Sequence, residues 1–194
     1  TVLNKQKPEF GSSIVVFGCG TVGMSAIMAA RIAGCEKIIA VGGNPKSLAL
    51  ALEVGATHTI NRKECDDIVG EIRKITNGGA NYSIDTSGVT DFVRKGLHCL
   101  APLGVEAVVG ITAPMEIDMF GELMAEGKTI MGVIEGAANP KLFITKMLEY
   151  YKQGRFPVDK LMKFYDFKDI NQAFEDSHNG TAIKAVLRMD YKKD

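Results

Sequence analysis

From Ser13 onward, short apolar runs alternate with longer amphipathic segments, the pattern of a parallel sheet whose strands are joined by crossover helices. The runs predict strands over 14–17, 37–41, 58–60, 82–85, 105–109 and 129–134. Between them the periodicity predicts helices over 21–33, 45–54, 65–76 and 90–100, with a short one over 119–126. Gly34 and Gly55 stand where a helix needs a left-handed C-terminal residue, and the "NGG" at 77–79 marks another stop. Strand followed by helix, repeated five times, predicts a doubly wound α/β fold: six parallel strands, helices on both faces, and a ligand crevice at the carboxyl ends of the strands. After Gly136 the character changes to a long helix over 139–153, the turn-like "GRFPVDK", the segment "FYDFKDINQAFEDSHNG" and a terminal strand "AIKAVLRMD". The expected division is therefore a domain over 1–136 and a C-terminal α/β tail over 137–194. The tail's aromatics at 143, 150, 151, 156, 164, 165, 167 and 174 suggest surface meant to pack on something, either this domain or another.

Composition narrows the function. With 194 residues and 46% hydrophobic content, the chain can bury a sizeable core. Lys plus Arg and Asp plus Glu number 23 each, so no net field favours nucleic acid or an anionic membrane surface. Apolar stretches are broken by glycine or charge before the roughly 18 residues of a membrane span, so a soluble protein is expected. Cys19, Cys35, Cys65 and Cys99 are scattered singly, which fits a reducing, cytoplasmic setting. No signal peptide is evident, and a polar opening that begins at Thr1 reads as a start inside a longer protein.

Gly18, Gly20 and Gly23 form G-x-G-x-x-G between an apolar strand and an amphipathic helix. In such a loop the first glycine permits the tight turn, the second lets a pyrophosphate approach the backbone, and the third lets helix pack on strand. The amides of Thr21, Val22 and Gly23 would face the phosphates with the positive end of the helix dipole. The motif in this setting predicts a Rossmann-type dinucleotide site.

An NAD-specific site presents a carboxylate at the end of the second strand, about 20 residues beyond the loop. Gly42 stands there instead. Without the carboxylate nothing repels a 2′-phosphate, while Gly43, Asn44 and Ser47 offer donors and Lys46 adds a positive charge. Asn44 followed by Pro45 reads equally as a helix N-cap with a first-turn proline, and Lys46 as a solvated helix-face residue. The absent acid favours NADP over NAD.

With loop, spacing and tail together, the chain resembles the cofactor-binding domain of the zinc-dependent, medium-chain alcohol dehydrogenases, and within them the aryl-alcohol (benzyl-alcohol) dehydrogenase branch. The resemblance runs from "VLNKQKPEFGSSIVVFGCGTVGMSAIMAARIAG" through "LEVGATHTIN", "YSIDTSG", "LAPLGVEAVVGI", "GKTIMGVIEG" and "EYYKQGRFPVDKL" to "DINQAFEDSHNGTAIKAVLRM". It implies hydride transfer between an alcohol, with aromatic alcohols suggested by the branch, or its aldehyde and NAD(P). It places Thr86 and Ser87 beside the adenine and ribose, and Val109, Gly110 and Ile111 under the nicotinamide. The backbones of Val133 and Glu135 would meet the carboxamide, and Lys184 would reach back to the pyrophosphate. It also implies a homodimer or tetramer through pairing of the sixth strands, over Thr129 to Ile134.

The departures concern catalysis. The family's cysteine and histidine zinc ligands and its proton relay lie upstream of the glycine loop, yet none of the 17 residues before Gly18 is Cys or His. The four-cysteine structural zinc lobe is missing as well. The zinc, as a Lewis acid, lowers the alcohol's pKa; no catalytic or metal-ligating residue is therefore assigned within the chain, which should bind cofactor without turnover. His58, His98 and His178 lack metal-type spacing. Cys19 sits near a helix N-terminus, where a thiol's pKa can fall, but reads best as a space-filler. Two other classes remain: a noncatalytic nucleotide-sensing module, which has no reason to carry the family's whole tail, and an S-adenosylmethionine-dependent methyltransferase, which normally keeps an acid at the second strand.

Overall fold

The structure, a computed structural model, describes residues 1–189. It resolves into two compact units, Thr1–Phe156 and the segment from Pro157.

In the first unit the six parallel strands are β1 Ser13–Phe17, β2 Lys37–Gly42, β3 His58–Asn61, β4 Ala80–Asp85, β5 Leu100–Val108 and β6 Thr129–Gly132. Their order in the sheet is β3-β2-β1-β4-β5-β6. The order reverses between β1 and β4, the switch point at which a doubly wound sheet opens its crevice. The connecting helices are α1 Thr21–Ala33, α2 Pro45–Val54, α3 Ile68–Thr76 and α4 Thr90–His98. Right-handed crossovers put α1 and α2 on one face and α3 and α4 on the other. All five residues of β1 are buried. Val15 and Phe17 pack with Ile39, Val41, Ile68, Ile72 and Phe92 under α3 and α4.

The helix ends follow local chemistry. The α1 helix stops at Gly34, which is left-handed at φ 87°, and Asn77 ends α3 at φ 58°. Asn44 caps α2 by accepting the Lys46 amide, with Pro45 in the first turn.

Several elements differ from the sequence-based expectation, among them α3, which starts at Ile68 rather than 65. The β5 strand begins at Leu100 rather than 105, because Leu100 pairs with Ala80 before a register shift that leaves Leu103 left-handed. The β6 strand ends at Gly132, two residues short of 134, and the chain then turns through positive φ at Glu135, Gly136 and Ala137. The expected helix over 119–126 is a π-type turn, Met119–Leu123, followed by a 3-10 turn, Met124–Glu126. Only Leu123 in that stretch is buried, so no apolar stripe holds a regular helix in place. Val2–Gln6, for which the sequence reading assigns no element, forms a π-type turn whose Gln6 side chain donates to the Ser83 carbonyl at 2.7 Å and the Val105 carbonyl at 3.3 Å.

The long helix, α5 Pro140–Lys152, belongs to the first unit, so the compact units divide after Phe156 rather than at Gly136. Arg155 donates to the Ile32 carbonyl at the end of α1, and Phe156 is buried.

The second unit pairs β7 Met162–Asp166 in parallel with β8 Lys184–Arg188 through α6 Ile170–His178. Its hub is Asp176, which accepts from Lys163 at 2.6 Å, Tyr165 at 2.6 Å and Gln172 at 2.8 Å. These donors, Lys163 foremost, hold the carboxyl down at about 2. Asp190, the last residue of the expected terminal strand, lies outside the described residues. No helix among the described residues is long and apolar enough to cross a membrane.

One feature of the core runs against its apolar surroundings. Glu106 on β5 is wholly buried beside its register partner Ser83. Neither carboxyl oxygen, nor the Ser83 hydroxyl, has a hydrogen-bond partner among the described residues.

Candidate functional site

The crevice is built where β1, β2 and β4 end. Gly18, the first residue past β1, has φ 98°, and a side chain on it would press within 2.8 Å of the Thr86 hydroxyl. Thr86, just past β4, donates to the carbonyls of Phe17 at 3.0 Å and Gly18 at 3.3 Å, tying the two strand ends together. A Cβ on Gly23 would sit 1.8 Å from the Gly18 carbonyl oxygen, so α1 can start this close to β1 only with glycine there. A Cβ on Gly20 would meet nothing within 4 Å. The loop is therefore tight behind and open in front, and Gly20 caps α1 with no side-chain hydrogen bond to its first turn. Helical geometry leaves the amides at such a start without intrahelical acceptors.

Cavities lie on either side of this helix start. One, of about 250 Å³, has Gly18, Cys19, Gly42, Gly43, Ser47 and Arg62 in its lining, together with Ser87, Val89 and Phe92. The other, of about 390 Å³, is apolar: Val22, Ile84, Val109, Phe143, Met147 and Tyr150 contribute to it, and Glu135 reaches its rim.

Of the residues predicted for the site, Gly18, Gly42, Gly43, Asn44 and Ser87 line the smaller cavity, and Val22, Val109 and Glu135 line the larger. Gly42 is the last residue of β2, and its missing side chain leaves room for the Cys19 sulfur, 2.9 Å from where a Cβ would stand. Gly43 and Asn44 line the smaller cavity, whereas Lys46 is exposed and outside its lining. Ser87 donates to Asp85 at 2.6 Å. The amides of Val109 and Gly110 both reach the Asp85 carbonyl, at 2.9 and 3.2 Å. Ile111 is 97% exposed and lines neither cavity. Val133 is buried at the end of β6, and its amide donates to the Val108 carbonyl at 3.0 Å. Lys184 is the exposed first residue of β8 in the second unit.

Cys19 is the space-filler that its position suggests. Its thiol donates to the Val41 carbonyl at 3.6 Å, and burial pushes it up to about 11, so proximity to the helix start does not activate it. His98 binds Glu122 at 2.8 Å, and His58 bonds to the Thr57 hydroxyl at 2.8 Å. Among the described residues no three His, Cys, Asp or Glu side chains converge as a metal site would require, so the donor set for a zinc ion is not found there.

Two residues of the site were not anticipated. Asp85, fully buried at the end of β4, accepts the Ser87 amide at 3.1 Å, the Ser87 hydroxyl at 2.6 Å and the Gly88 amide at 3.0 Å, and so fixes the turn that carries Thr86 and Ser87. Arg62, the first residue past β3, lies along the backbone of Gly43, where a Cβ would come within 2.8 Å of its Nε. The signal for both was positional: residues at the carboxyl ends of parallel strands line the crevice of a doubly wound sheet.

These features define a Rossmann-type α/β domain, with a tight glycine loop between two unlike cavities. Residues 21–152 match the family model described as zinc-binding dehydrogenase, and the chain belongs to that family. It is 36% identical to the geraniol dehydrogenase of Castellaniella defragrans over 91% of this chain and 48% of that protein. The crystal structure of an alcohol dehydrogenase zinc-binding domain protein from Burkholderia ambifaria superposes with a TM-score of 0.94 at 45% identity, covering 98% of this chain and 52% of that one. The benzyl alcohol dehydrogenase of Acinetobacter calcoaceticus gives 0.93 at 41% identity, covering 97% and 52%. The chain thus spans about half the length of these relatives.

Proposed function

We propose that this chain is the cofactor-binding portion of a zinc-dependent alcohol dehydrogenase that uses NADP in preference to NAD and acts on an alcohol, aromatic alcohols included, or its aldehyde. The observation that carries the reading is the open glycine loop at the start of α1 with a cavity on each side. Gly18, Gly20, Thr21, Val22 and Gly23 would hold the pyrophosphate through backbone amides at the helix start. Gly42, Gly43 and Asn44, with Thr86 and Ser87, would hold the adenosine end. Val109, Gly110 and Ile111, with Val133 and Glu135, would hold the nicotinamide end. Lys46 and Lys184 are proposed as supplementary cations. When bound, the nicotinamide supplies the hydride acceptor or donor. The chain's own residues position it: Val22 and Val109 offer apolar walls that exclude water. The C-terminal tail over 137–194 is proposed to help return the chain to the zinc-bearing half, as the family resemblance implies, and the chain alone is expected to be inactive.

A cytoplasmic homodimer or tetramer is proposed, joined through the β6 edge and the residues up to Ile134. The support is that β6 is the outer strand of the sheet, with Thr129 and Gly132 exposed. A monomer mass independent of concentration in sedimentation would count against that pairing.

The test is calorimetric titration of the chain with NADP, NAD and S-adenosylmethionine. Binding of the nicotinamide cofactors and none of S-adenosylmethionine is expected; if neither nicotinamide cofactor binds, the proposal fails.

A further inference from the structure

The geometry points to Arg62 as the residue that selects the cofactor, by binding the 2′-phosphate of NADP; this rests on the NADP reading above. Three observations meet at one place. First, the smaller cavity has no acid in its lining, since glycine stands at both 42 and 43 where the β2 strand opens into it. A phosphomonoester would meet no carboxylate there.

Second, Arg62 is placed by the backbone. Its amide donates to the Gly42 carbonyl at 2.8 Å, so the residue is anchored to the strand end that faces the adenosine ribose in this fold. Its side chain then lies across Gly43: a Cβ at 43 would stand 2.8 Å from Nε and 3.4 Å from both Cγ and Cζ. Any other residue at 43 would displace the guanidinium. The glycine at 43 therefore does more than omit bulk, because it admits a cation to the cavity wall.

Third, the guanidinium is braced but not neutralised. Its Cζ lies 5.8 Å from the centre of the Phe92 ring, which also lines the cavity. Among the described residues it forms no ion pair; the neighbouring Glu64 carboxylate accepts from Asn61 at 2.7 Å. A planar, always charged fork with no carboxylate partner, at the rim of an acid-free cavity, matches the recognition of a phosphate dianion. Lys46, by contrast, is exposed outside the cavity lining. Arg62 thus takes the selecting role and Lys46 an auxiliary one.

The test measures binding by calorimetry, with no need for turnover. Wild type, R62A and R62K are titrated with NADP, NAD, adenosine 2′,5′-bisphosphate and 5′-AMP. Wild type should bind the 2′-phosphorylated member of each pair more tightly. In R62A that preference should fall about 10- to 100-fold, while affinity for NAD and 5′-AMP changes less than about twofold. Retained NAD binding certifies that R62A is folded. R62K, which keeps the charge and loses the fork, should fall between the two, and its residual preference should shrink as salt rises. If wild type prefers the 2′-phosphorylated ligands and R62A keeps the full preference, Arg62 is not the selector although the NADP reading stands. If wild type shows no such preference, the NADP reading fails and this inference with it.

Discussion

Replacing Glu106 by glutamine keeps the shape of a side chain that fits tightly against α4, where a Cβ on Gly96 would stand 2.1 Å from Oε1, and removes its ability to ionise. Burial, and secondarily the nearby Asp85 carboxylate, push the Glu106 carboxyl from 4.5 up to about 9. The folded chain therefore holds this proton at pH 7, whereas the unfolded chain releases it above about pH 4.5. Stability linked to the proton is fully present below that pH. It is lost as pH rises, by roughly 1 to 2 kcal/mol per unit, until about pH 9, and is flat beyond. At pH 7 the loss is roughly 3 kcal/mol, a sizeable part of the 5–15 kcal/mol that separates typical folded and unfolded states. Glutamine has no such pH dependence, although its unpaired carboxamide costs about 1–3 kcal/mol in the same slot at every pH. The diagnostic is therefore the slope and not the stability at one pH. Urea unfolding of both proteins at pH 6, 7 and 8, followed by circular dichroism, should show E106Q gaining on wild type by roughly 1 to 2 kcal/mol per unit. The Cys99 thiol, pushed up by burial and secondarily by Glu106 itself, stays protonated in both folded proteins from pH 6 to 8 and so adds nothing to their difference in slope. Parallel stability curves would refute the reasoning, because they would mean that the folded carboxyl ionises as easily as the unfolded one.

Gly23→Ala places a methyl 1.8 Å from the Gly18 carbonyl oxygen, so α1 must withdraw from β1. Dinucleotide affinity should fall at least about tenfold and stability by about 2 kcal/mol or more, read by calorimetry and urea unfolding; unchanged affinity would refute the tight-loop argument. Asp85→Ala removes the fully buried acceptor of three hydrogen bonds from Ser87 and Gly88, whose own positions are exposed and half-buried, and leaves a void where the carboxylate stood. A loss of about 2–4 kcal/mol is expected, with weaker binding of 5′-AMP; a melting temperature equal to wild type would contradict it. Cys19, held up at about 11, should be alkylated by iodoacetamide at pH 8 at least about tenfold more slowly than free glutathione, followed by mass spectrometry of the peptide. Rapid modification would mean that the helix start does activate the thiol.

Local chemistry made part of this fold legible. The bounds of α1 and α2 agree with the sequence reading to the residue, because each is marked by a residue with a local effect: Gly34, whose backbone turns left-handed, past one, and Asn44 and Pro45 before the other. The N-terminal turn was not legible, because Gln6 is held by carbonyls 77 and 99 residues away. The segment over 119–126 has the length of a helix but a single buried residue, and no periodicity reports that a stripe will find nothing to cover. The site divides along the same line. The glycine loop is a contiguous motif and can be read directly. Arg62 becomes a site residue only through its position against Gly43, and Asp85 only through the turn it holds, so both depend on which strand ends the topology brings together.

The two cavities also imply a division of labour in the proposed full-length enzyme. The smaller one has Asn44, Ser47, Ser87 and the Arg62 cation in its lining; the larger is apolar, with Val22 and Val109 in its wall. A contact to the 2′-phosphate lies at the far end of the cofactor from the reacting ring, so it has the same strength in the ground state and in the transition state. Such a contact sets affinity without altering the chemical step. R62A should therefore raise the KM for NADP while kcat stays within about twofold. Val109→Ala acts at the opposite end, where side-chain packing sets the position of the reacting ring, and should lower kcat severalfold with a smaller change in KM. Steady-state kinetics of the two variants separate these effects. A fall in kcat for R62A matching the rise in KM would show that the ends of the site are coupled, and the division into a selecting cavity and a reacting cavity would then be wrong.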